Sequence, residues 1–268
     1  MAVLEVEQKF GINGDSTDPA IISSKLERLG FERKGVATVF TDWYFDSTTT
    51  LTLSLQDCWL RYREMNGKGQ WQLKCGQQLS KSSATKGLTV YQEVEGQEAV
   101  DMALSMLESY NLESFSRRTI KTASSDPVLD VTERIIPKLP TDKAHSLKLF
   151  ARFTTTRSSW VLKHKHDTSN NEPLVEILGD VVNAIQVDLD ATDTNYAVGE
   201  VEIVVEKEDQ VANAKSRIQQ VITAINGDKD LKLDERTSQT PPQGKLEHFL
   251  FHYRPNHYQA LVEAGILN

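Results

Sequence analysis

The feature that most constrains this chain is a period-two alternation that returns in eight separate segments. In VLEVEQKF (3–10), Glu5, Glu7 and Lys9 alternate with Val6, Gln8 and Phe10. Side chains two apart on a strand share a face, so this segment makes a strand with one charged and one largely apolar face. The pattern recurs over 36–47, 57–64, 69–76, 88–96, 149–165, 185–190 and 197–208. Glycine and polar clusters separate several of these segments, as hairpin connections require.

Helical periodicity is rarer. In DPAIISSKLERLG, Asp18 reads as an N-cap, Pro19 as the first helical residue and Gly30 as the stop, with Ile22, Leu26 and Leu29 on one face. The same spacing appears over 97–110, 209–226 and 255–264. Residues 116–146 and 227–243, rich in Ser, Thr, Lys and Pro, read as insertions. The expectation is an α+β protein: a closed eight-stranded antiparallel β-barrel with surrounding helices, formed by 1–268 as a single domain.

Half-polar strands usually have a wet face of mixed Thr, Ser, Gln and Lys. Here that face holds mainly Glu, Asp, Arg and Lys, and the two signs segregate. Acids gather on the first, seventh and eighth segments, in Glu5, Glu7, Asp188, Asp190, Glu200 and Glu202. Bases gather on the third, fourth and sixth, in Arg61, Arg63, Lys74 and Arg157, with Trp59 sharing the parity of the two arginines. Tyr91, Glu93 and Glu95 align on the fifth. Segregated acid and base suit a metal-bound polyphosphate, because carboxylates hold hard cations such as Mg²⁺ while guanidinium forks match phosphate oxygens. If the charged faces turn inward, the apolar faces turn outward and the helices cover them.

An N-terminal ExExK strand followed by an Arg-x-Arg strand, an LK strand, an acidic strand and a late ExE strand resembles the CYTH superfamily of triphosphate tunnel metalloenzymes. Within it, DWYFD, CWLRYRE, WQLKC, TTRSSW, VDLDATDTNYAVGEVE, GKLEHFL and YRPNHYQALVE are similar to segments of animal-type thiamine triphosphatases, in order, from residue 3 to about 263. The resemblance implies a barrel open at both ends. It implies Glu5, Glu7, Asp188, Glu200 and Glu202 as metal-side acids, with Mg²⁺ or Mn²⁺ as cofactor. Lys9, Arg61, Arg63, Lys74, Arg157 and Lys245 match the triphosphate-holding bases, and Glu93 a further acidic tunnel position. Trp59 matches an aromatic that packs on thiamine, while Tyr44 and Lys74 match a pair that positions or deprotonates the attacking water.

The implied reaction is hydrolysis of thiamine triphosphate to thiamine diphosphate and phosphate. The alternatives on the same scaffold are an inorganic triphosphatase, a nucleoside triphosphatase or an adenylate cyclase. A polyphosphate-binding protein without turnover is the alternative outside catalysis. A net charge of −8 argues against nucleic acid or anionic membrane as partners, and a monomer is expected. The first ten residues, MAVLEVEQKF, read as neither signal peptide nor membrane span. Cys58 and Cys75 sit in separate segments outside any CxxC pattern, so unpaired thiols and a reduced, cytoplasmic setting are expected.

Three other signals are set aside. His164 and His166 in KHKHD lack acids or cysteines at metal spacing, and HFLFH around His248 and His252 lacks the glutamate of a zincin. SKSSATKG (80–87) resembles a phosphate-cradling loop only in composition, and is read as a hairpin connection.

Overall fold

The computed structural model describes residues 3–12, 19–47, 50–77, 88–113, 147–162, 185–227 and 242–267. Asp18, the 80–87 loop, the KHKHD segment, the 116–146 insertion and most of the 227–243 insertion lie outside the described residues. The strands are β1 (Val3–Gly11), β2 (Phe31–Arg33), β3 (Thr38–Ser47), β4 (Cys58–Met65), β5 (Lys68–Gly76), β6 (Leu88–Glu95), β7 (Leu147–Leu162), β8 (Ile185–Thr192) and β9 (Ala197–Val205). The α-helices are α1 (Pro19–Arg28), α2 (Gln97–Glu113), α3 (Val211–Gly227), α4 (Lys245–Tyr253) and α5 (Pro255–Glu263).

Strand pairing runs β2-β7-β3-β4-β5-β6-β1-β9-β8, and a further pairing of β7 with β8 closes the series. Eight strands therefore form the closed antiparallel β-barrel expected from the sequence, with β2 appended to β7. All eight expected strands are present, within a few residues of their expected ends. Among the described strands and α-helices, two elements are additional. The three residues of β2 are too few to display a period, and α4 follows a Pro- and Gly-containing stretch that reads as loop.

The chain divides into two compact units. The first comprises Met1–Val39, Gln77–Tyr91 and Thr156–Gly244. In it β1, β9 and β8 lie side by side, with Glu7 opposite Glu202 and Lys9 opposite Glu200, and with Asp188 also opposite Glu200. The apolar faces of these strands, through Val6, Phe10, Val187, Val201 and Ile203, pack with Ile22 and Leu26 of α1 and with Ile218, Val221 and Ile225 of α3. Each such side chain taken fully out of water contributes roughly 1.5–3 kcal/mol. Helix α1 ends at a glycine, Gly30, with a positive φ of 93° that other residues adopt at a cost. Buried Lys25 on α1 donates to the Ile225 carbonyl in the last turns of α3, where a cation suits the helix C-terminus.

The second unit comprises Phe40–Gly76, Gln92–Thr155 and Lys245–Asn268. Trp43, Leu60, Trp71 and Leu73 of the β3-β4-β5 sheet pack beneath Val100, Ala103, Leu104 and Leu107 of α2. A second cluster joins Tyr44, Ala151 and Phe153 to Phe249 of α4. The β3–β4 connection is held by buried Asp46, which accepts from the backbone N–H groups of Ser47 (2.6 Å), Leu53 (3.0 Å) and Ser54 (2.9 Å) and from the Ser54 hydroxyl. Burial nonetheless pushes the Asp46 carboxyl above its ordinary value, with these hydrogen bonds acting in opposition. From α5, buried His257 reaches the same hydroxyl through Nε2 at 3.2 Å.

The expectation of unpaired thiols is overturned. Cys58 and Cys75 form a disulfide between β4 and β5, their Cα atoms 4.1 Å apart. Hairpin register sets the two residues directly opposite each other, a relation that their linear separation of 17 residues conceals. Cysteine usage therefore gives no support to a reducing compartment. Among the described residues, no helix is long and apolar enough to cross a membrane.

Candidate active site

The first unit carries an acidic face. Register across β1, β9 and β8 builds one row from Glu7, Glu202 and Gln186, and the next from Lys9, Glu200 and Asp188. Glu5 extends this face at one end and Asp190 at the other. Arg157 of β7 grips Asp190 with a fork, Nε to Oδ1 and Nη2 to Oδ2 both at 2.7 Å. Its Nη1 lies 2.5 Å from Asp188 Oδ2, and its Nη2 lies 3.7 Å from Glu200 Oε2. Lys9 pairs with Glu7 and, at 3.2 Å, with Glu200. Gln186 donates to both Asp188 oxygens at 3.1 Å and to Glu202 at 2.9 Å.

These groups are withdrawn from water: Glu7, Asp188 and Asp190 are each at most 1% exposed. Burial disfavours the charge on Lys9, yet Glu7 and Glu200 outweigh it and hold the ammonium well above its usual range. Arg157 is held up likewise, its carboxylates prevailing over burial. Glu202 shows the converse. Burial, then the neighbouring Glu5, Asp188 and Glu200, push its carboxyl well above the ordinary range, against the pull of Arg157. Six carboxylates thus share this face with two cations, and the acids are crowded.

The second unit carries a basic and aromatic face on β3, β4 and β5. Tyr44, Arg61 and Gln72 form one row, Asp42, Arg63 and Gln70 the row on one side, and Trp59 with Lys74 the row on the other. Arg63 forks onto Asp42, Nε to Oδ1 at 2.7 Å and Nη2 to Oδ2 at 2.8 Å, with its guanidinium carbon 4.0 Å from the Phe40 ring centre. Arg61 donates to Gln72 at 2.8 Å and to Glu93 at 3.2 Å, and also hydrogen-bonds Tyr44. Gln70 and Gln72 both donate to Glu95 at 2.8 Å.

Burial raises the Asp42 carboxyl, but Arg63 foremost, with Arg61 and Lys245, outweighs it and holds the group below its ordinary value. Lys245, the first residue of α4, is thereby placed near this face. Burial and Asp42 push the Tyr44 phenol up, against the two arginines, so it is a neutral phenol at neutral pH. Its ring stacks on Phe153 with centroids 5.6 Å apart. Trp59 is only partly buried and packs beside this cluster, whereas Trp71 and Trp160 are core residues.

All the site residues expected from the sequence are therefore located. Glu5, Glu7, Lys9, Arg157, Asp188, Glu200 and Glu202 come together in the first unit; Tyr44, Trp59, Arg61, Arg63, Lys74, Glu93 and Lys245 belong to the second. Arg157, expected among phosphate-holding bases, sits among acids. Asp42, Gln72, Gln186 and Asp190 are partners that the motif reading did not assign. Asp42 and Asp190 do share strand parity with Tyr44 and Asp188, which was the available signal.

Crowded, buried carboxylates with hard oxygen donors fit a divalent cation such as Mg²⁺. Among the described residues, no three His, Cys, Asp or Glu side chains converge as a ready-made cage. Lys9, Arg157 and Gln186 stand between the acids as described above.

Comparison with known proteins places the sequence. The CYTH domain family matches residues 4–236. The thiamine-triphosphatase of Homo sapiens is 29% identical over 263 residues, covering 98% of this chain and 91% of the human protein. That of Macaca fascicularis is 28% identical over 263 residues, with the same coverage of 98% and 91%. A solved structure from Pyrococcus horikoshii is similar at a TM-score of 0.44 and 18% identity, covering 82% of this chain and 89% of that one. The family match runs from β1 through β9 and takes in both charged faces, so this chain belongs to the CYTH domain family.

Proposed function

We propose that this protein is a Mg²⁺-dependent hydrolase of triphosphates, that thiamine triphosphate is its substrate, and that residues 1–268 act as one domain. The observation that carries the reading is the segregation of charge: crowded carboxylates on one face, and guanidinium groups beside a half-buried tryptophan on another. The similarity to thiamine triphosphatases over nearly the whole chain supports the choice of substrate.

Glu5, Glu7, Asp188, Glu200 and Glu202 are the residues that would hold the metal, with Mn²⁺ as a substitute. Bound there, Mg²⁺ supplies charge neutralisation for phosphate oxygens. Arg61, Arg63, Lys74 and Lys245, with Lys9 and Arg157, bind the triphosphate. Asp42 uses two of the five guanidinium N–H donors of Arg63 and so presets the plane of the fork. Arg61 is held by two different partners, its Nε donating to Gln72 and its Nη2 to Glu93. Phosphoryl transfer passes through a loose transition state, so such positioning carries most of the catalysis. Tyr44, a neutral phenol hydrogen-bonded to Arg61, positions the attacking water rather than taking its proton. Lys74, acting as the neutral amine, accepts that proton and becomes the ammonium. Trp59 stacks on the cationic thiazolium ring, a contact worth about 0.5–2 kcal/mol.

Phosphate release from thiamine triphosphate, inorganic triphosphate and ATP, each with Mg²⁺ and with chelator, tests the reading. The expected result is a preference for thiamine triphosphate that disappears on chelation. Activity surviving complete chelation removes the metal. Equal turnover of all three substrates replaces thiamine triphosphate with triphosphates in general, and tight binding without phosphate release makes the protein a binder.

A further inference from the structure

The basic face of the second unit is ordered along β4 as well as across it. From one end to the other, residues of one parity are Arg63, Arg61, Trp59 and then Asp57, set opposite Gln70, Gln72, Lys74 and Gly76 on β5. At about 3.4 Å per residue, Arg63 and Trp59 are about 14 Å apart along the strand. Along the chain the succession is cation, cation, aromatic ring, carboxylate, with Lys74 of β5 in the row of the ring. It complements a molecule with a polyanion at one end and an aromatic cation at the other.

Asp57 is built into its place by three separate features. Its backbone takes a left-handed conformation, φ 54°, which aspartate tolerates better than most residues. Its Oδ1 accepts the indole N–H of Trp59 at 2.9 Å. Its carboxylate also occupies the space where a side chain at 76 would begin, because a Cβ on Gly76 would lie 1.7 Å from Oδ2. The Gly76 N–H donates to the Asp57 carbonyl at 2.8 Å, which holds the two residues in that relation.

We propose that Asp57 is a specificity-determining residue that acts through Trp59, making this end of the face select triphosphates whose organic group is aromatic and positively charged. This deepens the function proposed above and rests on it. The carboxylate does two things. It fixes the plane of the indole, and it draws the N–H dipole so that electron density is pushed into the ring, which strengthens attraction for a cation stacked on its face. Neither effect acts on Arg61 and Arg63 at the other end of the face, so the signature is a change in substrate preference. Asp57 is thus a positioning residue that does not touch the reacting atoms.

The test measures KM and kcat for thiamine triphosphate, ATP and inorganic triphosphate in wild type, Asp57→Asn, Asp57→Ala and Gly76→Ala. Asparagine keeps an acceptor for the indole N–H and tolerates the left-handed backbone, but has no charge. Asp57→Asn is expected to raise the KM for thiamine triphosphate about tenfold relative to that for inorganic triphosphate, equivalent to about 1.4 kcal/mol. Its preference for thiamine triphosphate over ATP narrows by a similar factor, with kcat changing less than KM. Asp57→Ala loses more, because the indole is also released. Gly76→Ala leaves the aspartate in the chain but evicts its carboxylate and with it the acceptor of the indole N–H, so it reproduces the Asp57→Ala pattern.

A wild type that prefers thiamine triphosphate, with variants that keep that preference, overturns the role of Asp57 alone. Variants that weaken all three substrates equally do the same, since that is the mark of a residue that only shapes the turn. A wild type with no preference for thiamine triphosphate overturns both this role and the reading beneath it.

Discussion

In the second unit each guanidinium of β4 has a carboxylate set against it, Asp42 for Arg63 and Glu93 for Arg61. In the first unit two cations, Lys9 and Arg157, serve six carboxylates. The contrast separates two ways of keeping charge out of water. Paired charges satisfy each other, and their rigidity presets a binding fork. Crowded like charges hold an unfavourable electrostatic energy that only an added cation or added protons can relieve. A face of the first kind is ready to recognise an anion; a face of the second kind is incomplete by design.

Substitutions can break this contrast, and the largest effect is expected at Arg157. Arg157→Ala leaves Asp188 and Asp190 buried without their main counter-ion, and should cost about 3–5 kcal/mol in denaturant unfolding. A loss below 1 kcal/mol would mean that water reaches these acids.

Next in size is the response of the second unit to acid. Burial, with Arg254 beside it, depresses the His257 imidazole to about 4. The unfolded chain, with an ordinary value near 6.5, takes up this proton earlier. Stability is therefore complete above about pH 6.5, falls as the pH drops toward about 4, and levels off below, a total of roughly 3 kcal/mol. His257→Gln should flatten that part of the pH–stability curve, and an unchanged slope would assign it to other groups.

Neutralising one acid in each unit gives the sharpest contrast. In the second unit, Asp42→Asn removes the partner of Arg63 and should destabilise by about 1.5–3 kcal/mol. In the first, Glu202→Gln relieves crowding from Glu5, Asp188 and Glu200. It should stabilise by about 0.5–2 kcal/mol, the usual yield of improved charge placement, while lowering Mg²⁺-dependent phosphate release. Thermal melts decide the sign. A lower Tm for Glu202→Gln would show that this acid is satisfied, and the contrast between the units would collapse.

Much of the fold was legible because its signals are local. The alternation of Glu5, Glu7 and Lys9 with Val6 and Phe10 identifies β1 and its two faces without any knowledge of neighbours. Gly30 marks the end of α1 for a similarly local reason, its backbone conformation. The candidate site was legible by residue type and parity, which placed the acids and bases on shared faces. Its pairings were not. Nothing along the chain couples Arg63 to Asp42 or Arg157 to Asp190, because those contacts depend on which strands become neighbours and in what register. The same limit hid the Cys58–Cys75 bond and the placement of the Asp57 carboxylate over Gly76.

By itself, then, the sequence determined which segments become strands, which face of each is charged and which sign each face carries. Those properties follow from side-chain alternation within one strand. Tertiary structure alone decided which charges satisfy one another and which are left crowded. Hydrogen-bonded register brings residues from distant segments to within 3 Å of each other, and at that range the arrangement rather than the composition sets the electrostatic energy.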